Sequence, residues 1–299
     1  MRTRIIAKLD VKPPYVVKPI HFEGLRKIGI TSELAKKYYK QGADEIMYID
    51  IVSSLYQRDI VFNEIEKTAN ELFIPFGVGG AIRSLEDISK LFHIGADKVV
   101  INTYAVQENP EIINKAAEIF GNQAIVINIE AKKWGAHWEC YTDCGRIRSG
   151  RDVLEWAQDV EKRGAGEILL QSVDKDGRKN GFDLELCKKV VASVNIPVVV
   201  ASGAGKVEDI REVIEYADPS GVAIASLLHY DNIAISEIKE YLRIEKPIGL
   251  EKVLPDKEEL IAALNKTDWN KSKAARMLGI GRRTIYRKIE EYKILKQKE

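Results

Sequence analysis

The chain has 299 residues, of which 45% are hydrophobic and 30% are charged, and its formal net charge is +1 at pH 7. That is typical of a soluble globular protein with room for one large domain and one small one. No apolar run approaches the ~20 residues that cross a bilayer, and the N-terminus lacks a secretory signal, so we expect a cytoplasmic protein with no membrane contact.

The first 240 residues predict eight strands that alternate with eight helices. The strands are short apolar runs rich in Val and Ile, near residues 4–10, 45–51, 74–78, 98–102, 124–130, 167–172, 196–201 and 221–225. The amphipathic helical stretches are 31–41, 59–72, 84–94, 109–120, 150–163, 183–193, 206–216 and 233–242. This alternation predicts an α/β fold, the (β/α)₈ TIM barrel, with an open doubly wound sheet as the alternative.

The second half of this region repeats the first. "IIAKLDVK" (5–12) is matched by "IVINIEAK" (125–132), "GADEIMYID" (42–50) by "GAGEILLQS" (164–172), and "VVINT" (99–103) by "VAIAS" (222–226). A further match joins "FIPFGVGGAIRSLEDI" (73–88) to "NIPVVVASGAGKVEDI" (195–210). Four matches at nearly one spacing, in the same order, predict a barrel built of two repeated half-barrels.

Two carboxylates stand at equivalent strand ends in the two halves, Asp10 after strand 1 and Glu130 after strand 5. The carboxyl ends of barrel strands carry the chemistry, so these acids should face each other across the mouth. A pair of titratable groups of this kind suits general acid–base catalysis. The alternative is that each acid only caps a loop or pairs with Lys12 or Lys132.

Glycine-rich and small residues follow strands 3, 4, 7 and 8, in "VGGAIRS", "NT", "ASGAGK" and "AS". Small residues let backbone N–H groups approach a phosphate, and TIM barrels often bind phosphate after strands 7 and 8. Because the repeat duplicates this site at strands 3 and 4, we expect a long substrate with a phosphate at each end. The alternative is that these segments form tight turns only.

Residues 1–243 resemble the cyclase subunit of imidazole glycerol phosphate synthase, an enzyme of histidine biosynthesis. The resemblance rests on "RIIAKLDVK", "FEGLR", "FIPFGVGGAIRS", "GADKVVINT" and "SGAGK". It implies a lyase that receives ammonia from a glutaminase partner subunit. The ammonia reacts with a bis-phosphorylated formimino aminoimidazole carboxamide ribonucleotide to yield imidazole glycerol phosphate and aminoimidazole carboxamide ribotide. No cofactor is implied.

The resemblance also assigns residue roles. It implies catalysis by Asp10 and Glu130, and Lys18 on a mobile first loop. The substrate and phosphate positions that it implies are Gly80, Ala81, Asn102 and Thr103 on one side and Ser172, Asp176, Gly177, Gly203, Ala225 and Ser226 on the other. At the opposite end of the barrel it implies a charged gate for ammonia, formed by Arg4, Glu45, Lys98 and Glu167.

The centre of the mouth departs from the family. Glu130 replaces the second catalytic aspartate, Lys8 replaces a usual cysteine and Gln171 a usual threonine. Pro19 replaces a glycine of the mobile loop, and Ala81 the third glycine of its turn. Two alternatives to the histidine-pathway reaction therefore stay open. One is a paralogue that delivers ammonia to another substrate, such as a surface-polysaccharide sugar, and the other is a metabolite-sensing regulator that binds DNA.

The three cysteines, Cys140, Cys144 and Cys187, are an odd number in a long chain. Cys140 and Cys144 lack a matching second pair of ligands, so we expect reduced thiols and no metal site.

The C-terminal segment differs in charge and pattern. Residues 256–299 contain 12 Lys and Arg against 7 Asp and Glu, a balance of +5, which leaves −4 for the first 255 residues. After a linker at 244–255, helices are predicted at about 256–265, 270–278 and 282–293, with the spacing of a helix-turn-helix. "NKSKAARMLGIGRRTIYRK" (270–288) resembles the DNA-binding domain of Fis and NtrC-type regulators.

In this small all-α domain, the third helix is expected to expose the DNA-contacting residues Arg282, Arg283, Thr284, Tyr286, Arg287 and Lys288. The expected core is Ala274, Ala275, Leu278, Ile280, Ile285 and Ile289. The alternative is a helical appendage that binds a protein or only dimerises. The domains are therefore predicted as the barrel at 1–243, the linker at 244–255 and the helix-turn-helix domain at 256–299.

Overall fold

The computed structural model describes residues 3–20, 23–54, 56, 58–230, 233–242, 256–267, 269, 271–278, 280, 285, 288, 289, 292 and 294. The predicted linker at 244–255 lies outside them. No helix within the described part of the chain is both long and apolar enough to cross a membrane.

Eight parallel strands close into a barrel. They are β1 (Arg4–Lys12), β2 (Glu45–Asp50), β3 (Phe76–Gly79), β4 (Lys98–Ile101), β5 (Ile125–Trp134), β6 (Glu167–Ser172), β7 (Val198–Ala201) and β8 (Gly221–Ile224). Each strand pairs with the next, and β8 pairs with β1 through the register Arg4↔Gly221. This closure confirms the TIM barrel and excludes the open sheet.

Helices surround the barrel where the apolar periodicity predicts them. They are α1 (Thr31–Lys40), α2 (Phe62–Asn70), α3 (Leu85–His93), α4 (Glu111–Phe120), α5 (Val153–Lys162), α6 (Leu184–Ser193), α7 (Val207–Ala217) and α8 (Ile235–Tyr241). Local capping sets several starts, as at Ser84, whose side chain accepts from Asp87 N–H while the Asp87 carboxylate accepts from Ser84 N–H. The helices bury their apolar faces against the outward side chains of the strands.

The barrel interior is layered, because successive side chains of a strand point to opposite faces. A separate apolar cluster fills its middle, with members that include Ile6, Met47, Val100, Val126, Leu169, Val199 and Ala223. The same two-residue period points Arg4, Lys8 and Asp10 of β1 into the barrel. Arg4 lies below Ile6, and Lys8 and Asp10 lie above it. On β6 it directs Glu167 and Gln171 inward on either side of Leu169. Charged or polar layers therefore lie at both ends of an apolar centre.

Two antiparallel extensions at the carboxyl ends of strands were not predicted. The first is a ribbon of strands Tyr15–Ile20 and Glu23–Ile30 that pairs with β1, and the second consists of strands His137–Thr142 and Ile147–Asp152 that continue β5. The alternation of strands and helices predicts loops in these segments. Pairing with strands of the barrel instead orders them into walls. A short helix at Ser226–His229 was also not predicted.

In the C-terminal segment the helices α9 (Lys257–Lys266) and α10 (Lys271–Leu278) confirm the first two predictions. Of the six expected core residues, Ala274, Ala275 and Ile285 belong to the buried cluster that also contains Leu260 and Ile294, and the other three are partly buried and pack against it. The expected exposure of Lys288 is wrong, because this residue is 8% exposed and donates through Nζ to the Tyr292 hydroxyl at 3.3 Å. The other five predicted DNA-contacting residues lie outside the described residues.

Candidate active site

Asp10 lies fully buried at the carboxyl end of β1, between two cations. Lys8 forms an ion pair with Asp10 Oδ1, and Lys18 Nζ lies 3.2 Å from Asp10 Oδ2. Burial alone would raise the pKa of Asp10, but the ammonium groups of Lys8 and Lys18 outweigh it and lower the pKa to about 2. Asp10 is therefore a carboxylate at any ordinary pH, and its partners are not the Lys12 considered from the sequence.

Glu130 lies at the equivalent point of β5 and is 5% exposed. Its Oε2 accepts the Gly145 N–H at 2.7 Å, and its Oε1 accepts the Asn128 side-chain N–H at 3.4 Å. Burial raises the pKa of Glu130 to about 7, although the Gly145 N–H and the Lys8 charge lower it. The repeat thus places two carboxyl groups at equivalent strand ends, and their different surroundings shift the two pKa values in opposite directions. Near neutral pH one is always a base and the other can carry a proton.

The first predicted phosphate position lines a cavity of about 380 Å³ at the ends of β2 to β6. Gly80, Ala81, Asn102 and Thr103 all contribute to its wall, together with Glu130. Gly80 has φ +109° and Ala81 has φ +56°, so the turn after β3 uses left-handed backbone at both residues. Such conformation strains an alanine by about 1–2 kcal/mol, which the sequence alone did not reveal.

The second predicted phosphate position lies across the mouth, at the ends of β6 to β8. Its recess is lined by Lys8 and by the predicted residues Lys18, Asp176, Gly177, Gly203, Ala225 and Ser226. The recess measures about 20 Å³, close to the space of one water molecule. Lys18 lines this recess and contacts both Asp10 and Asp176, at 3.2 and 3.3 Å. The recess therefore has to widen before a phosphate can enter.

Ser172, which was also predicted to bind substrate, is 3% exposed at the end of β6. It lies outside the walls of both recesses, and its hydroxyl has no hydrogen-bond partner among the residues described. Its geometry therefore gives it no contact with either phosphate position.

The four residues predicted as a gate form a ring at the amino-terminal end of the barrel. Arg4 pairs with Glu45 at 2.6 Å and also with Glu167, while Lys98 pairs with the same two carboxylates at 2.9 and 2.6 Å. Burial raises the pKa of Glu45, and the charge of Glu167 adds to the shift, whereas Lys98 and Arg4 lower it. Alternating charges thus close one end of the apolar interior.

A polar layer beneath the two carboxylates was only partly anticipated. Lys8 and Gln171 were noted as departures from the family, but Asn128 was not singled out. Gln171 Nε2 donates to Asn128 Oδ1 at 2.8 Å, and both residues line the larger cavity. The alternation of β5 could have identified Asn128, because it lies two residues before Glu130 on the same face.

All three cysteines are buried free thiols. Burial raises the pKa of Cys140, Cys144 and Cys187 above their ordinary value. In the described part of the chain, no group of three or more His, Cys, Asp or Glu side chains is arranged to hold a metal ion.

Comparison with known proteins agrees with the fold of both parts of the chain. Residues 4–234 match the family described as histidine biosynthesis protein, and residues 255–292 match the bacterial regulatory protein, Fis family. The imidazole glycerol phosphate synthase subunit HisF of Pyrococcus furiosus is 46% identical over 239 residues, which are 80% of this chain and 94% of that protein. The Lactococcus lactis IL1403 subunit HisF is 47% identical over 241 residues, 80% and 93% of the two chains.

The HisF of Dehalococcoides mccartyi is 42% identical over 252 residues, 84% of this chain and 99% of that protein. These relatives are covered almost completely by the barrel, so the Fis-family segment is an addition to the length they share. The chain therefore belongs to the histidine biosynthesis protein family, as a cyclase-type enzyme of the HisF kind that carries a Fis-family helix-turn-helix domain at its C-terminal end.

Proposed function

We propose that the barrel catalyses the cyclase reaction of imidazole glycerol phosphate synthase. In this reaction, ammonia and a bis-phosphorylated formimino aminoimidazole carboxamide ribonucleotide yield imidazole glycerol phosphate, aminoimidazole carboxamide ribotide and one water molecule. The observation that carries the proposal is the pair Asp10 and Glu130, which have pKa values of about 2 and about 7 and lie between the two predicted phosphate positions. Once the second recess has widened, a substrate with a phosphate at each end spans these positions, and its reacting centre then lies over the carboxyl groups.

In this mechanism the two carboxyl groups have different tasks. The Asp10 carboxylate accepts a proton from the attacking nitrogen as its first C–N bond forms. Closure of the imidazole ring then forms the second C–N bond of this nitrogen and releases the keto oxygen of the sugar arm as water. Glu130 in its protonated form donates a proton to the aminoimidazole nitrogen as that nitrogen leaves. Acid–base groups placed in this way contribute about 10²- to 10⁴-fold to a rate. Gly80, Thr103, Gly203 and Ser226 hold the phosphates and keep the substrate across the mouth.

The nitrogen source fits a partner subunit at the other end of the barrel. We propose that a glutaminase docks over the ring of Arg4, Glu45, Lys98 and Glu167, and that ammonia passes through the apolar interior. The interior is lined by Ile6, Val126 and Leu169. Because neutral ammonia crosses an apolar layer far more easily than ammonium, this lining supports the passage of ammonia through the barrel.

The test is turnover of the bis-phosphorylated ribonucleotide with an ammonium salt, followed by identification of imidazole glycerol phosphate. A glutaminase subunit with glutamine should replace the ammonium salt. If the ribonucleotide is not consumed although the barrel is folded, the histidine-pathway reaction is excluded. The polar layer of Lys8, Asn128 and Gln171 favours a second candidate in that case, namely ammonia transfer to another phosphorylated or sugar substrate, such as a surface-polysaccharide sugar.

The Fis-family match favours a further activity that is compatible with either reaction. We propose that the C-terminal domain binds DNA, so that the chain acts as a regulator when its barrel holds a phosphorylated metabolite. Binding should weaken steeply with salt and disappear when the chain ends at residue 255. Absence of binding to any DNA at low salt would leave a protein-binding or dimerising appendage.

A further inference from the structure

Gln171 is a buried amide with an oxygen that no described residue satisfies. Its side chain is 1% exposed, and Oε1 has no hydrogen-bond partner among the described residues. Nearly all buried carbonyl oxygens in proteins are paired, because leaving one unpaired destabilises the fold. An unpaired oxygen in a site wall therefore marks a position for a donor that the protein itself does not supply.

The orientation of this amide is fixed by its neighbours. Gln171 Nε2 donates to Asn128 Oδ1 at 2.8 Å, and Asn128 Nδ2 donates to Glu130 Oε1 at 3.4 Å. Turning the Gln171 amide over would place its oxygen against the Asn128 oxygen. The chain of hydrogen bonds thus runs toward Glu130, and Gln171 Oε1 has to act as an acceptor.

A second unpaired acceptor lies in the wall of the same cavity. Asn102 Oδ1 is buried and has no partner within the described part of the chain. Asn102, Asn128, Glu130 and Gln171 all line the cavity of about 380 Å³. Two residues with unpaired amide oxygens and the carboxyl residue Glu130 therefore line one cavity, which suits a ligand that presents N–H groups.

Gln171 also lies on the line between the charged ring and this cavity. Glu167, Leu169 and Gln171 share the inward face of β6, so the ring and the Gln171 backbone are roughly 13 Å apart along the strand. Leu169 belongs to the apolar centre. Gln171 is hence among the first acceptors that a small molecule meets after crossing that centre.

We propose that Gln171 Oε1 and Asn102 Oδ1 form an N–H acceptor site for the nitrogen chemistry of this enzyme, and that Gln171 is its specificity-determining residue. The donor is ammonia leaving the barrel interior or an N–H group of the nucleotide. The identity of the donor rests on the proposed function, whereas the acceptor site rests on the geometry alone.

The test compares Gln171→Met with Asn128→Asp in the full chain. Gln171→Met keeps the length of the side chain but removes the acceptor. Asn128→Asp removes the N–H that reaches Glu130 but keeps the oxygen that accepts from Gln171 Nε2, so Gln171 Oε1 stays in place. Ammonium salt and ribonucleotide are varied separately. We expect Gln171→Met to raise the KM for one of them about three- to tenfold, the loss of one hydrogen bond, and Asn128→Asp to leave that KM near the wild-type value.

A higher KM for ammonium identifies ammonia as the donor, and a higher KM for the ribonucleotide identifies its N–H groups. If both variants lower kcat alike with unchanged KM values, Gln171 only positions Glu130 and the acceptor site is refuted.

Ligand-induced thermal stabilisation tests the site without turnover, and so separates its failure from that of the proposed function. Ammonium chloride is compared with potassium chloride, and aminoimidazole carboxamide ribotide with ribose 5-phosphate, which has no N–H group. One of the two nitrogen ligands should stabilise wild type and Asn128→Asp more than Gln171→Met. Equal stabilisation of all three proteins by both ligands would overturn the proposal, even if the cyclase reaction is established.

Discussion

Lys8 and Asp10 form an ion pair in the barrel mouth, and their side chains are only 4% and 0% exposed. The two residues are two positions apart on an extended strand, so both point into the barrel. Lys18 brings a second cation to the same carboxylate from the first ribbon, at 3.2 Å. The Lys8 charge also lowers the pKa of Glu130, so one lysine acts on both carboxyl groups of the proposed site.

Lys8→Met should move the acid limb of kcat/KM to higher pH. Asp10 has a lowered pKa, so its carboxylate stabilises the fold above its ordinary pKa, and this contribution is lost as the pH falls toward about 2. Without Lys8 that loss begins at higher pH. Breaking a buried pair should also cost about 3 kcal/mol of unfolding free energy, measured by urea denaturation.

Lys12→Met, at the exposed end of the same strand, is the matched control and should change neither quantity. An acid limb that stays in place in Lys8→Met would show that Lys18 alone sets the charge of Asp10.

Glu130→Gln should reduce ammonia-dependent turnover by about 100-fold or more. It should also remove the decrease of kcat/KM above about pH 7, which is the alkaline limb of the pH profile. The raised pKa means that the folded state favours the protonated acid. Its contribution to stability is thus complete below the ordinary pKa and is lost as the pH rises through about 7. We therefore expect the wild-type protein to lose stability between about pH 4.5 and 7, and the Gln variant to lose less.

Glu130→Asp tests the departure from the family at the same position. Higher turnover of the histidine-pathway ribonucleotide than in wild type would mean that the glutamate serves another substrate. Unchanged turnover and an unchanged alkaline limb in Glu130→Gln would remove Glu130 from the catalytic site.

Gly203→Ala should abolish phosphate binding at the second recess. A Cβ there would lie 2.2 Å from the Gly181 carbonyl oxygen, and Gly203 has φ +112°, so the backbone would have to shift. Gly135→Ala is the control, because Gly135 also has positive φ but nothing lies within 4 Å of its Cβ position.

The control should lose only the ~1 kcal/mol of backbone strain. Calorimetric titration with inorganic phosphate measures the difference in binding. Equal affinity in both variants would argue against a phosphate at Gly203.

Lys98→Met should reduce glutamine-dependent turnover and leave ammonium-dependent turnover in place. Lys98 joins Glu45 to Glu167, so its removal leaves these two buried carboxylates to repel each other with Arg4 as their remaining partner in the ring. The cost in unfolding free energy should be about 3 kcal/mol. Turnover with ammonium salt should persist, because the proposed catalytic residues Asp10 and Glu130 lie at the opposite end of the barrel.

Lys36→Met removes a pair with Glu71 whose side chains are 49% and 38% exposed, and it should cost less than ~1 kcal/mol. Equal losses with both nitrogen sources in Lys98→Met would contradict a gate.

Much of the fold could be predicted because local sequence patterns determine the positions of its strands and helices. Short Val- and Ile-rich runs and amphipathic stretches mark every barrel strand and helix, and the repeat indicates closure into two halves. The ribbons after β1 and β5 could not be predicted in this way, because their strands depend on pairing with partners in the barrel. Lys288 was wrongly expected to be exposed for a similar reason, since its burial depends on contacts such as that with Tyr292.

The sequence by itself determined which residues stand at the carboxyl ends of the strands, because strand order and spacing fix the ends of a barrel. It therefore identified Asp10 and Glu130 as a pair, whereas the four charged residues of the ring were implied by the family resemblance. Only the tertiary structure decided how the two carboxyl groups differ. Their pKa values depend on which cations and amides reach them in the low-dielectric interior, and Lys18, Gly145 and Asn102 come from other strands or loops. Proximity across the barrel, rather than position along the chain, lowers the pKa of one carboxyl group and raises that of the other.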